Sequence, residues 1–353
     1  MSDLHTDVLV VGAGAIGCAV AAQLADRGLE VVLAGGRDPQ TASRVAAGMV
    51  APLSETTLDP ESRDAGPVLD AAAAAWPQFA ARFGLSLRRC GGLVLRGPDD
   101  AAAAGREAPG ESIALADARR MAPFLEVWEG DIRWLAGESA IDPAQALAAL
   151  EARVLAGGGR RVAGPVDWDA DGAWRAAGGR IRARRTVIAA GHASRGLPHG
   201  PAELAVLQPI RGQILQGAAR LVPAMAPFVR GPGAYVAPQA DGSAMIGATM
   251  DAGVGDLEAS ERDTRRLVSA LSAFAPGLAA QPMTARVGIR ATTPDALPLV
   301  GPSSSPDVLL ATGLRRNGWL LAPLVAGMIA DYLAGEDPGP HAQRLRPRRF
   351  ERA

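Results

Sequence analysis

The sequence predicts an α/β protein: a Rossmann-like parallel layer interrupted by a discontinuous, mainly antiparallel α+β domain. Three observations carry this expectation. The chain opens on strand, glycine turn, helix and strand in "DVLVVGAGAIGCAVAAQLADRGLEVVLA". It returns twice to short apolar strand runs that end in small residues, "RRTVIAAGHAS" and "DVLLATGLRRNG". Between these returns lie glycine-bounded strand runs of a different character.

The elements follow in order. "DVLVV" (7–11) is a valine-rich run, the pattern of a strand buried on both faces. "AIGCAVAAQLADRG" has apolar residues at helical spacing and stops at Gly28, which suits the position past a helix end. "EVVLA" is a second buried strand, and the βαβ unit so formed makes the sheet parallel. The middle return (184–194) is a strand ending in Ala-Ala-Gly. The last (307–335) is a strand, a glycine-rich turn and a strongly apolar helix. "CGGLVLRG" (90–97), "IRGQILQG" (210–217), "AYVAPQADGSAMIGATM" (234–250) and "MTARVGIRATT" (283–293) read as strands of the antiparallel sheet. "QADGSA" is its hairpin turn, with Asp241 and Gly242 expected at positive φ. "AAAAAW" and "DDAAAAG" read as helix surface, and the polar "LSETTLDPESRDAG" (53–66) as a lid or surface connection.

Composition excludes several functions. With 353 residues, 48% of them apolar, the chain can bury a substantial core in one large or two interlocked domains. A net charge of −1 argues against nucleic acid or an anionic membrane as partner. Two cysteines, Cys18 and Cys90, make no disulfide framework, and Cys18 reads as a small core residue. The four histidines (His5, His192, His199, His341) are not clustered at ligand spacing, so no metal site is expected. The sequence contains no lysine, which rules out a Walker lysine, a Schiff base and a lysine general base. No signal peptide or membrane-length apolar run precedes the first strand, which gives a cytoplasmic expectation.

"GAGAIG" places Gly12, Gly14 and Gly17 at GxGxxG spacing around Ala15 and Ile16, after a strand and opening a helix. The first glycine permits the turn, the second lets a pyrophosphate approach, and the third lets helix and strand pack. The helix N-terminus then favours phosphate. The blander alternative is a structural glycine turn. Where such units carry an acid for the ribose, this chain has Gly35, with Arg37 close by. The motif by itself leaves FAD, NAD and NADP open.

Distant motifs narrow the choice. "AAGMVAP", "RGQILQ", "PDALPLVGP", "RNGWLLAP" and the softer "ESAIDPAQALAAL" (138–150) resemble the D-amino acid oxidase superfamily of FAD-dependent amine oxidases. Within it the likeness is nearest to the glycine oxidases of thiamin biosynthesis, and it runs from the first strand to the last helix. The resemblance implies an FAD-binding domain of residues 1–84, 140–205 and 286–353, and a substrate domain of 85–139 and 206–285. It places Gly12, Gly14, Ala15, Ile16 and Gly17 at the pyrophosphate, and Ala42, Ser43, Ala47, Gly48 and Met49 near the flavin and ribityl chain. Val162 falls at the adenine, and Ala190 and Gly191 end a strand against the cofactor. Gly313, Arg316, Asn317, Gly318, Trp319 and Leu320 lie toward the flavin C2 carbonyl. Gly35 departs from the family pattern, which implies a ribose held by backbone or water. The C-terminal half holds no cysteine for a thioether, so non-covalent FAD is expected.

For the substrate, the resemblance makes Arg290 in "VGIRATTP" the bidentate carboxylate partner. Tyr235 in "GAYVAP" would donate its hydroxyl to the same group, and Arg316 would be a second contact. Met49, Met250 and Trp319 would form pocket walls. Each has a plainer reading, since strand-end arginines commonly sit at the surface and methionines in the core. Arg315 is expected to be solvent-facing or ion-paired, with a charge that would favour a more acidic substrate. The implied reaction oxidises an amine at Cα–N by hydride transfer to the flavin. Hydrolysis of the imine gives a 2-oxo acid and ammonia or amine, and oxygen becomes hydrogen peroxide. No protein acid or base is required, because the cofactor carries the hard chemistry. Rival readings are a dehydrogenase of the same superfamily acting on D-amino acids or secondary amines with a non-oxygen acceptor, an NADP-dependent dehydrogenase, and a non-catalytic flavin binder. The resemblance also implies a homo-oligomer, with no interface marked in the sequence.

Overall fold

The structure is a computed structural model and describes residues 3–62, 64–97, 109–169, 173–176 and 179–351. Strand β1 (Leu4–Val11), helix α1 (Ala15–Asp26) and strand β2 (Val31–Gly35) open the chain. Gly28 takes φ +84° just past the end of α1, as its position predicts. β1 lies parallel between β2 and the strand Gly179–Ile188. Arg160–Ala163 extends the sheet beyond β2, and Val308–Thr312 extends it beyond Gly179–Ile188, both in parallel. Leu299–Pro302 closes that edge antiparallel.

Alternation explains why the strand sequences are apolar throughout. Val8 and Val10 of β1 pack with α1 and the helices Gly66–Phe83, Pro143–Ala156 and Gly318–Ala334. Leu9 and Val11 pack on the opposite face with Trp174, Ile181 and Leu310. Successive strand side chains point to opposite faces, so both faces of this sheet are core. Each fully buried leucine there, such as Leu9 or Leu33, contributes about 2 kcal/mol.

Among the described residues the second sheet has nine strands. Its centre is the long strand Gln208–Gly217, paired antiparallel with Met283–Thr292 on one side and Ala244–Gly247 on the other. Ala234–Pro238, Phe228–Gly231, Gly92–Arg96 and Asp131–Leu135 continue it, with one parallel pair, between Phe228–Gly231 and Gly92–Arg96. The amphipathic helix Glu261–Ser272, capped by the Ser260 hydroxyl, buries Leu267 and Leu271 against it. No helix among the described residues is long and apolar enough to cross a membrane.

Several local expectations need correction. The described residues of the polar stretch 53–66 form the helix Pro52–Leu58, a 3₁₀ turn Pro60–Ser62 and the start of Gly66–Phe83. "AAAAAW" lies in that long helix but is only partly surface: Ala74 is exposed, whereas Ala72 and Trp76 are fully buried and the Trp76 indole donates to Leu320 O at 3.0 Å. In the "QADGSA" hairpin Gly242 takes φ +75°, while Asp241 stays out of the left-handed region and accepts from the Ser243 amide at 2.8 Å. Met283–Thr292 runs unbroken along Gln208–Gly217, so the expected domain boundary at 286 falls inside one strand. "DDAAAAG" lies outside the described residues.

Candidate cofactor and substrate site

The glycine turn is built so that no side chain fits. A Cβ on Gly17 would lie 1.7 Å from Gly12 O, and one on Gly12 would lie 2.4 Å from Ala189 O. Thus Gly17 brings α1 onto the turn, and Gly12 brings the turn against the end of Gly179–Ile188, beside Ala190 and Gly191. Gly14 opens α1, where the Ala15 amide donates to the Ser43 hydroxyl at 2.9 Å. Ser43 sits on the short helix Ala42–Val45, which places that helix over the turn. Gly48 takes φ +76°, and a Cβ there would meet Ile141 O at 2.1 Å. Val162 pairs with Ala34 at the far edge, next to the end of β2.

The last helix presents its N-terminus to the same cleft. Gly318–Ala334 has no side-chain cap, and its first intrahelical bond runs from the Leu321 amide to Asn317 O at 2.9 Å. The amides of Gly318, Trp319 and Leu320 therefore precede the hydrogen-bonded ladder and can serve an acceptor. Trp319 is buried, with its indole donating to Ser43 O at 3.0 Å, so it locks the helix start to Ala42–Val45. Bare glycine cradles and an uncapped helix end, both tied to Ser43, fit an extended dinucleotide.

One cleft, open to solvent, joins the helix Ala42–Val45, Gly48 and the start of Gly318–Ala334 to the second sheet. Ala42, Ser43, Ala47, Gly48, Met49, Asn317, Gly318 and Trp319 line one side. Tyr235, Met250, Arg290 and Arg316 line the other, with Glu55 and Arg315, which the sequence did not mark as pocket residues. Gly12, Gly14, Ala15, Ile16, Gly17, Val162, Ala190, Gly191, Gly313 and Leu320 are not part of this lining.

Two glycines create the space for the polar side chains. Arg290 leans across Gly212, where a Cβ would lie 2.3 Å from a guanidinium nitrogen. Tyr235 lies over its cross-strand partner Gly247, where a Cβ would lie 2.3 Å from the hydroxyl. Gly288 lets the same strand approach Ala42.

Arg290 donates to Thr249 O and contacts Met250 Sδ, each at 3.1 Å, and has no carboxylate partner among the described residues. Burial pushes its pKa down to about 10. Tyr235 is pushed up by burial and stays a protonated donor at neutral pH. The neighbouring arginines are already matched. Arg230, which the sequence reading missed, is buried and bonded to Glu55 Oε1. Arg316 Nε reaches Glu55 Oε2 at 2.9 Å. Arg315 pairs with Asp59 and, at 2.8 Å, with Glu61, so its side chain is buried and ion-paired. Burial would raise Glu55, but Arg230 and Arg316 outweigh it and hold the carboxyl below its usual range. Asp59 is held low in the same way by Arg315. Arg230, Arg315 and Arg316 are thus ion-paired with Glu55, Asp59 and Glu61, whereas Arg290 has no such partner among the described residues.

Comparison with known proteins identifies the family. A family model described as "DAO: FAD dependent oxidoreductase" matches residues 7–332. Glycine oxidase of Pseudomonas aeruginosa is 34% identical over 174 residues, covering 46% of each chain. The tRNA 5-methylaminomethyl-2-thiouridine biosynthesis bifunctional protein MnmC of a Polaromonas species is 31% identical over 382 residues, covering 96% of this chain and 58% of that one. The chain spans about half the length of these curated relatives. The crystal structure of glycine oxidase from Geobacillus kaustophilus superposes with a TM-score of 0.83 at 24% identity, covering 98% of this chain and 99% of that one.

Proposed function

The chain belongs to the DAO family of FAD-dependent oxidoreductases, and from that premise we propose that it oxidises the Cα–N bond of a small amino acid: glycine, sarcosine or a small D-amino acid. The observation that carries this reading is Arg290, without a carboxylate partner among the described residues, beside the protonated Tyr235 hydroxyl in a cleft that also holds Gly48 and the start of the helix Gly318–Ala334. Arg290 takes the substrate carboxylate through its planar fork, and Tyr235 donates to the same group. Met49, Met250 and Trp319 wall the substrate side chain and exclude water. Arg316, tied to Glu55, fixes the rim. Arg230 and Arg316 hold the Glu55 carboxyl below its usual range, which makes it a weak base and suits it to orienting charge.

The turn from Gly12 to Gly17, with Ser43 and Gly48, would hold the cofactor's phosphate and ribityl portion. Val162 would hold the adenine side, and Ala190 and Gly191 would close the strand end. Gly313, Asn317, Gly318, Trp319 and Leu320 would offer the helix N-terminus. Bound FAD supplies the two-electron acceptor. Attachment is non-covalent in this reading: Cys18 lies in the core with its thiol pushed up to about 12 by burial. Overall, amino acid, water and oxygen give a 2-oxo acid, ammonia or amine, and hydrogen peroxide.

The test is an anaerobic screen of the purified yellow protein with glycine, sarcosine and D-alanine, following loss of flavin absorbance. Bleaching by at least one, with peroxide formed when air is admitted, is the expected result. No bleaching by any of the three refutes the proposal. Bleaching with turnover only through a dye acceptor replaces oxygen in it.

A further inference from the structure

The end of β2 shows how this chain handles the adenosine ribose without an acid. Gly35 takes φ +148°, and a Cβ there would lie 2.9 Å from the Ala13 amide nitrogen and 3.3 Å from Gly12 Cα. The backbone is therefore committed to glycine, because any side chain at 35 would press on the phosphate turn. The space beside it is occupied by charge. Arg161, on the neighbouring strand, donates to Gly35 O at 2.7 Å and also reaches Leu33 O and Val162 O. Arg37, two residues past Gly35, donates to Glu151 Oε2 at 2.5 Å. Glu151 comes from the helix Pro143–Ala156, is 7% exposed, and lies 3.7 Å from Arg161 Nε through its other oxygen. That oxygen is buried and makes no hydrogen bond. Two arginines around one carboxylate leave this end of the site cationic.

We infer that Arg37, anchored by Glu151, is the ribose contact, so that the ribose hydroxyls accept hydrogen bonds here instead of donating them to an acid. Glu151 is a positioning residue: its carboxylate is enclosed, whereas the Arg37 side chain is 62% exposed and has donors left over. A guanidinium at this place also suits a phosphate on the ribose 2′ oxygen. The site would therefore accept a 2′-phosphorylated adenosine better than an unphosphorylated one. This inference rests on FAD binding by the family and is independent of which amine is oxidised.

The test strips flavin from the full chain and follows FAD rebinding by quenching of flavin fluorescence. Arg37→Ala, a change at an exposed side chain, is expected to raise the FAD Kd about tenfold, with the circular dichroism of the fold unchanged. Glu151→Gln should raise it as well, by releasing Arg37. In the wild-type chain, ADP bearing a ribose 2′-phosphate should displace FAD at lower concentration than ADP does, and Arg37→Ala should abolish that preference. An FAD Kd within about twofold of wild type in Arg37→Ala, or equal displacement by the two nucleotides in wild type, overturns the assignment.

Discussion

Arg290→Met should separate substrate binding from folding. The guanidinium is confined in the cleft wall with no carboxylate of its own, and burial lowers its pKa from 12.5 to about 10. That gap is a cost of at most about 3 kcal/mol for keeping the charge there at neutral pH. It is an upper limit because the cleft admits solvent. The sign follows from a depressed base. The cost is complete below pH 10 and is relieved as pH rises through the folded value toward 12.5. Replacement by methionine removes the cost, so the unliganded protein should melt no lower than wild type. The substrate carboxylate, in contrast, loses its partner, at about 3 kcal/mol or roughly a hundredfold in affinity. The assay is the substrate dependence of anaerobic flavin bleaching, beside a calorimetric Tm and an FAD titration. The expected pattern is a substrate Kd raised about a hundredfold, with FAD affinity and Tm preserved. Bleaching with a substrate dependence within about threefold of wild type would refute the argument. So would a Tm that falls as though a satisfied ion pair had been broken.

Other substitutions probe the neighbours. Gly35→Glu should destabilise the fold by about 1–3 kcal/mol and should not tighten FAD binding, because its Cβ meets the Ala13 amide; urea melts and FAD titration check both. Glu55→Gln leaves Arg230, whose side chain is 3% exposed, without its counter-charge and should cost about 3–5 kcal/mol in urea unfolding. Since Glu55 and Asp59 have folded pKa values below the ordinary 4.5 and 3.8, their stabilisation is complete above those values and is lost as pH falls through the folded ones. Urea midpoints of wild type should accordingly fall more steeply below about pH 4.5 than those of Glu55→Gln. Tyr235→Phe removes one donor to the carboxylate and should raise substrate KM about tenfold with FAD affinity unchanged, as measured by peroxide-coupled turnover and FAD titration.

What could be read from the sequence follows from where the cause of each residue lies. Gly12, Gly14 and Gly17 were legible because their reasons are local: turn, helix start and strand end are adjacent in the chain. Gly212 and Gly247 were not, because the side chains that need their space, Arg290 and Tyr235, arrive from other strands. The stretch 53–66 misled for the same reason. Acidic residues in a polar run are ordinarily solvated, and nothing nearby indicates that Glu55 and Asp59 are buried. Their partners are Arg230, Arg315 and Arg316, which follow more than 170 residues later. Alanine runs are equally mute. Ala72 is buried because helix Gly66–Phe83 packs on the last helix, where Trp76 bonds Leu320 O.

The absence of lysine acquires a structural meaning in the cleft. Arg316 addresses Glu55 through Nε at 2.9 Å and Asp59 through a terminal nitrogen at 3.9 Å. Arg315 likewise addresses Asp59 and Glu61 through separate nitrogens. A guanidinium can do this because its donors are fixed in a plane, whereas an ammonium is a point charge on a flexible stem. The network therefore sets the rim charge by geometry, and Arg315, expected to favour an acidic substrate, is already neutralised by two acids. Arg290 stands outside that network, above a glycine, with a backbone carbonyl and a thioether for neighbours. A buried charge without an internal partner lowers stability unless something else supplies the partner. Under the proposed function, the substrate supplies the carboxylate that the wall lacks, on a molecule small enough to lie between Tyr235, Met49 and Met250.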